Sequence, residues 1–209
     1  MLTLRPMGKW SIPLLCSSLL LISFPPQAAQ EDVPYCHRYA DFNFPDYMAL
    51  WNEDAPELTA STYFSMLNMA ASSVDKTFLS ELLSQIGRTF VIRDDFEQAK
   101  YYLEQAEVYL SDAEPRARAY FLREKARYFS LTQQKKQATD LLLESWQISE
   151  REQYEQLAIE TALDLSENTI ADLNEEARKH WRQTARLLSE SAQDTRAKIW
   201  VMQNQDRFI

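Results

Sequence analysis

Glycine is nearly missing: Gly8 and Gly87 are the only two in 209 residues. Tight hairpin turns and phosphate-cradling loops need residues that accept positive φ or let a ligand approach the backbone. Their scarcity argues against sheets joined by hairpins and against nucleotide-binding loops. It predicts an all-α chain whose helix ends are supplied by Asp, Asn, Ser and Pro. Histidine is equally scarce, with only His37 and His180. A metal site needs three or four ligands at compatible spacing, and neither histidine has such companions. His37 beside Cys36 reads as a solvated loop pair. His180, in Arg178-Lys179-His180-Trp181-Arg182, reads as the surface of a charged helix. There is no nucleophile elbow, Walker loop, dinucleotide fingerprint or His-Glu-x-x-His. Asp94-Asp95 and Glu175-Glu176 sit at helix starts, where capping and the macrodipole account for them. The sequence therefore predicts no enzyme, no cofactor and no metal.

Positive charge is also in short supply, with 22 Lys and Arg against 31 Asp and Glu and a net charge of −9. A chain of this balance repels nucleic acid and anionic lipid. The first residues are the exception. Arg5 and Lys9 precede an apolar stretch from Trp10 to Phe24, and Pro25-Pro26-Gln27-Ala28-Ala29 follows. A basic start, a short apolar centre, a helix break and small residues make residues 1–29 an expected signal peptide. The apolar stretch falls short of the ~20 residues that span a bilayer. The alternative is an uncleaved anchor, which would be the only membrane attachment. Cys16 lacks the small residue before it that a lipoprotein signal would show. Removing residues 1–29 takes away Arg5 and Lys9 and no acid, so the net charge falls from −9 to −11. The expected location is periplasmic or secreted. The mature chain would keep one cysteine, Cys36, which excludes an intrachain disulfide and leaves dimerisation through Cys36 open.

Residues 30–56 read as an irregular, aromatic-rich segment, with Tyr35, Tyr39, Phe42, Phe44, Tyr47 and Trp51 among three prolines. Pro45 to Trp51 predicts a short helix with proline in its first turn. The aromatics are expected to cap the first helix pair. Asp54 and Pro56 signal a helix from Glu57 to about Ala71. Ser72-Ser73-Val74-Asp75 predicts a capping box for the next. That helix carries Phe78, Leu82, Leu83, Ile86, Phe90 and Val91 at amphipathic spacing. Asp94-Asp95 marks a turn, a partner helix from Phe96 to Leu110 presents Ala99, Leu103, Ala106 and Leu110, and Pro115 opens another helix.

The arrangement repeats. Ala99, Leu103 and Ala106 return as Ala138, Leu142 and Ser145, and again as Ala177, Trp181 and Thr184, each 39 residues on. A fainter copy precedes them at Ala60, Phe64 and Leu67. Twelve residues before the alanines stand Gly87, Ala126 and Leu165; Phe129 matches Phe90, and Asn168 breaks the match. Gly87, Phe90, Phe96, Ala99, Leu103 and Ala106 resemble the tetratricopeptide-repeat pattern over roughly residues 80 to 190. The period here is 39, against about 34 in that family, which suggests helices longer by about a turn. The resemblance implies a right-handed α-solenoid of antiparallel helix pairs. It would occupy 57–205 as about three repeats plus capping helices, the last of them within Asp194 to Gln203.

In tetratricopeptide-like units the first helix of each pair lines the concave face. That places Ser84, Arg88 and Val91 inward in one unit, Tyr120, Arg123, Arg127 and Ser130 in the next, and Ile159, Ala162, Ser166 and Thr169 in the third. Arg88, Arg123 and Arg127, with Tyr120 and Ser84, are then the candidate partner-binding groove. Guanidinium groups bind carboxylates bidentately, so the expected partner is a protein or peptide segment, acidic in character. The alternative at this stage is that these arginines pair with neighbouring acids such as Glu81 and Glu124. Two functions stay open: an interaction module serving as adaptor or scaffold in envelope assembly, and a ligand- or peptide-sensing module that reports to a separate signalling protein.

Overall fold

The computed structural model describes residues 44–208. The expectations for residues 1–43, including the leader, Cys36, His37, Tyr35, Tyr39 and Phe42, lie outside them. Within the described residues the protein is all-helical, without strands. Its helices are α1 (Pro56–Ser72), α2 (Thr77–Ile92), α3 (Phe96–Val108), α4 (Pro115–Leu131), α5 (Lys135–Arg151), α6 (Glu155–Ser166), α7 (Glu175–Ser191) and α8 (Thr195–Gln203). Short 3₁₀ turns cover Tyr47–Leu50, Leu110–Asp112 and Gln205–Phe208. The predicted helix at Pro45–Trp51 is thus a single 3₁₀ turn.

The helix starts follow the chemistry expected of them. Pro56 and Pro115 occupy the first turns of α1 and α4, where a missing N–H costs nothing. Side chains of Asp95, Asn174 and Asp194 accept from the N–H of Gln98, Ala177 and Ala197. The start of α2 departs from expectation. Lys76 is its N-cap and makes no side-chain cap. Asp75 accepts from the Thr77 N–H, so Ser72-Ser73-Val74-Asp75 turns the chain without forming a capping box. Helix ends need left-handed residues, and here they are not glycine. Asp94, Gln133 and Gln153 hold φ of 58°, 63° and 60°. Each sits in a Schellman-type closure, with Asp95 N–H donating to Phe90 O at 3.0 Å, Gln134 N–H to Phe129 O at 2.8 Å and Tyr154 N–H to Ser149 O at 2.8 Å.

Connections of three residues, 93–95 and 132–134, fold α3 back on α2 and α5 back on α4. The seams recur at the 39-residue interval. In the first, Gly87 lies against α3: a Cβ added there would meet Leu103 Cγ at 3.0 Å and the Ala99 carbonyl at 3.4 Å. In the second, Ala126 takes the place of Gly87 and packs with Ala138 and Leu142, all fully buried. The third pair is looser. Leu165 is buried in the matching position, but 167–174 replaces the tight turn, and Ala177, Trp181 and Thr184 are only half-buried. Trp181 meets Trp146 of α5 edge-on at 4.9 Å, and Ala185 closes the core.

First helices also pack on one another, α2 on α4 and α4 on α6. The N-terminal aromatics cover this end of the stack. Phe44 stacks on Phe78 at 4.1 Å, and Tyr47, buried, lies edge-on to Tyr63 and Phe78. The Tyr47 hydroxyl donates to Glu81 at 2.7 Å, and the Tyr63 hydroxyl donates to the Tyr47 carbonyl at 2.8 Å. These bonds satisfy the polar ends of buried rings.

Candidate functional site

The face shared by α2, α4 and α6 carries charge into the interior. Arg123 of α4 is fully buried and donates from Nε to Asp164 of α6 at 2.7 Å. Its Nη1 pairs with Glu160 and lies 3.6 Å from Glu124. Arg127, one turn on, reaches the same Asp164 at 3.0 Å and Glu124 at 3.5 Å. Arg88 of α2 pairs with Glu53 at 2.7 Å, lies 3.9 Å from Glu124 and stacks over Trp51 at 4.0 Å. Arg207, from the C-terminal 3₁₀ turn, closes the set on Asp164 at 3.4 Å and Glu167 at 2.6 Å. Gln85 and Gln156 donate to Glu124 and Glu160.

Four guanidiniums therefore meet five carboxylates. Burial opposes charge on Arg123, but Asp164, Glu160 and Glu124 more than offset it and hold its pKa above the ordinary value. Burial would raise Asp164, yet Arg123, Arg127 and Arg207 outweigh it and hold this carboxyl well below the usual carboxylate range. Arg88 differs: burial and then the neighbouring Arg127 lower its pKa, with Glu124 acting against them. A buried pair of this kind gives little net stability, but removing one partner strands a charge in the interior.

This corrects the expected groove. Arg88, Arg123 and Arg127 do converge, but Arg123, Ser84 and Tyr120 are buried, at 0%, 0% and 3% exposure. Arg123 joins α4 to α6, and Tyr120 lines a separate cleft. Arg116 and Glu81 form a second such link, at 2.7 Å. Ser84 donates to the Ser80 carbonyl within its own helix. The partners Asp164, Glu160, Glu53 and Arg207 were not anticipated. A signal for one existed: Asp164 follows Arg123 by 41 residues and Arg127 by 37, which is one repeat, give or take two.

What stays open lies beside the network. A cavity of about 200 Å³ is lined by Arg88, Val91 and Ile92, by Arg127, Ser130 and Leu131, and by Thr169 and Ile170. Its walls use the same repeat position from successive units, since Ile92, Leu131 and Ile170 stand 39 residues apart. Ile92 and Leu131 are exposed, at 41% and 52%. Ser130 ties the last wall down by donating to the Thr169 carbonyl at 2.8 Å. The groove offers apolar side walls above two guanidiniums already matched by the protein's own acids.

Among the described residues no group of three His, Cys, Asp or Glu could hold a metal ion, and no helix is long and apolar enough to cross a membrane. His180 is exposed on α7 beside Trp181. No protein-family model matches the chain, and neither a curated protein nor a solved structure matches it at a significant level.

Proposed function

We propose that the chain is an exported protein-interaction module. On this reading it is a right-handed α-solenoid of tetratricopeptide type that serves as adaptor or scaffold in envelope assembly. The observation that carries the reading is the groove built by Ile92, Leu131 and Ile170 from equivalent positions of successive units. Repeated units that present the same side chain along one face accumulate contact with a partner segment. Two exposed branched side chains at the same repeat position mark a surface suited to covering. Because Arg88 and Arg127 are matched by Glu53, Glu124 and Asp164, an apolar anchor suits the groove better than a strongly acidic segment. Export rests on the basic, apolar and small-residue pattern of residues 1–29. Charge placed on the walls tests the groove. Ile92→Glu with Leu131→Glu should remove the partner from affinity-purified material while leaving the helical circular dichroism spectrum intact. An unchanged set of copurifying proteins overturns the reading. A ligand-sensing role acting through a separate signalling protein is the second reading, and a separate, larger cleft favours it.

A further inference from the structure

That cleft has a volume of about 540 Å³ and opens between the start of α4, the α5–α6 turn and the start of α8. The size falls in the range of small-molecule sites. Trp146, Tyr154, Leu157, Ala158 and Leu188 give it aromatic and aliphatic walls. Two of its lining residues carry an unmet buried polar atom. Tyr120 is 3% exposed and is one of the residues that line the cleft. Trp146 Nε1 is a buried donor without an acceptor, and Gln156 Oε1 is a buried acceptor without a donor. The Gln156 orientation is fixed by its other end, since Nε2 donates to Glu160 at 2.7 Å. Turning the amide over would set oxygen against carboxylate. Two orphaned polar side chains beside one cavity, with the Tyr120 hydroxyl next to them, favour a bound group that meets them.

Two guanidiniums stand at the same cleft. Arg116 commits Nε and Nη2 to Glu81, and Arg196 commits Nη2 to Asp46. Both side chains are about one third exposed and keep N–H groups to spare. Of the three lining acids, Glu155 already accepts from the Gln193 and Asp194 N–H groups, at 2.7 and 2.8 Å, Asp194 caps α8, and Glu150 is exposed. Burial, and next to it Glu160 and Glu81, push the Tyr120 ionisation up, so this group remains an O–H donor.

We propose that this cleft binds a small organic carboxylate that carries an amide or amine N–H and an aromatic or branched apolar body. The carboxylate lies between Arg116 and Arg196 and accepts from the Tyr120 hydroxyl, the N–H meets Gln156 Oε1, and the body packs on Trp146 and Leu157. The inference deepens the sensing reading and is independent of the Ile92–Leu131 groove.

Isothermal titration of the full chain tests it with N-acetylphenylalanine as probe and its C-terminal amide as control. A tetrapeptide ending in phenylalanine with a free carboxylate separates a free acid from a peptide terminus as the source. The free acid should bind at sub-millimolar concentration, and the amide at least tenfold more weakly. Tyr120→Phe should weaken the acid about tenfold or more, the scale of one hydrogen bond to a charged group. Arg196→Gln should weaken it tenfold or more. If Arg196→Gln lowers the melting temperature through loss of Asp46, the conservative Tyr120→Phe decides. Ile92→Glu with Leu131→Glu should leave binding unchanged, so failure here and failure at the groove are distinguishable. No heat from either carboxylate probe, equal binding of acid and amide, or affinity insensitive to Tyr120→Phe overturns the proposal.

Discussion

The Ser80 hydroxyl of α2 donates to the Ala106 carbonyl of α3 at 3.0 Å, and 39 residues on the donor changes sides. There Ser145 of α5 donates to the Ala119 carbonyl of α4 at 2.8 Å. Both helix pairs thus approach closely through one Ser and one Ala, with all four residues buried. The equivalence predicts that the roles are exchangeable. Ser80→Ala should cost about 1 kcal/mol, the value of one buried hydrogen bond. Adding Ala106→Ser should restore most of it. Urea unfolding of the two variants checks this, and a double variant no more stable than the single one would show that the seams are not equivalent.

Gly87 sits where the first pair is tightest. Alanine would gain about 1 kcal/mol of helix propensity, but its Cβ would lie 3.0 Å from Leu103 Cγ. Leu103 is 3% exposed and hemmed in, and overpacking of this sort costs about 1–3 kcal/mol. Gly87→Ala should therefore lower stability by about 1 kcal/mol on balance. Combined with Leu103→Ala, it should cost less than the sum of the two single changes, as measured in a double-mutant cycle.

Asp164 is the centre of the buried network. Asp164→Asn leaves Arg123 and Arg127 without their shared counter-charge and should cost about 3–5 kcal/mol. That corresponds to a melting temperature lower by roughly 6–20 °C. The pH dependence has a defined sign. Arg123, Arg127 and Arg207 outweigh burial and depress this carboxyl in the folded state. Its contribution is therefore complete above the unfolded value near 3.9 and is lost as pH falls towards the depressed folded value. Calorimetry between pH 5 and pH 2.5 should show a steeper loss of stability for the natural chain than for Asp164→Asn.

Much of the helix pattern was legible in the sequence because it depends on local chemistry. Pro56, Pro115, Asp94-Asp95 and Glu175-Glu176 announce helix starts, and Ala99, Leu103, Ala106, Ala138 and Leu142 announce the seams by spacing. The all-helical class followed from two glycines. The left-handed ends at Asp94, Gln133 and Gln153 carry no such mark, because neither Gln nor Asp demands that conformation. The arginines were found, but their setting was not. Whether Arg123 faces solvent or Asp164 depends on how closely α4 approaches α6, a packing distance that side-chain type alone does not encode. The looseness of the third pair arises from residues 167–174, where Asn168 had broken the pattern. Tyr120 was named for a groove, but the cleft it lines was invisible, since Tyr120, Trp146 and Gln156 come together only through the fold.

The groove is most directly tested by a photo-crosslinking side chain placed at position 92 or 131, in the compartment where the protein resides. Position 108, also exposed but on α3 and outside the lining, serves as reference. Positions 92 and 131 should yield the same single crosslinked partner, and position 108 should not. Crosslinks to that partner from 108, with none from 92 or 131, would contradict the groove as the interaction surface.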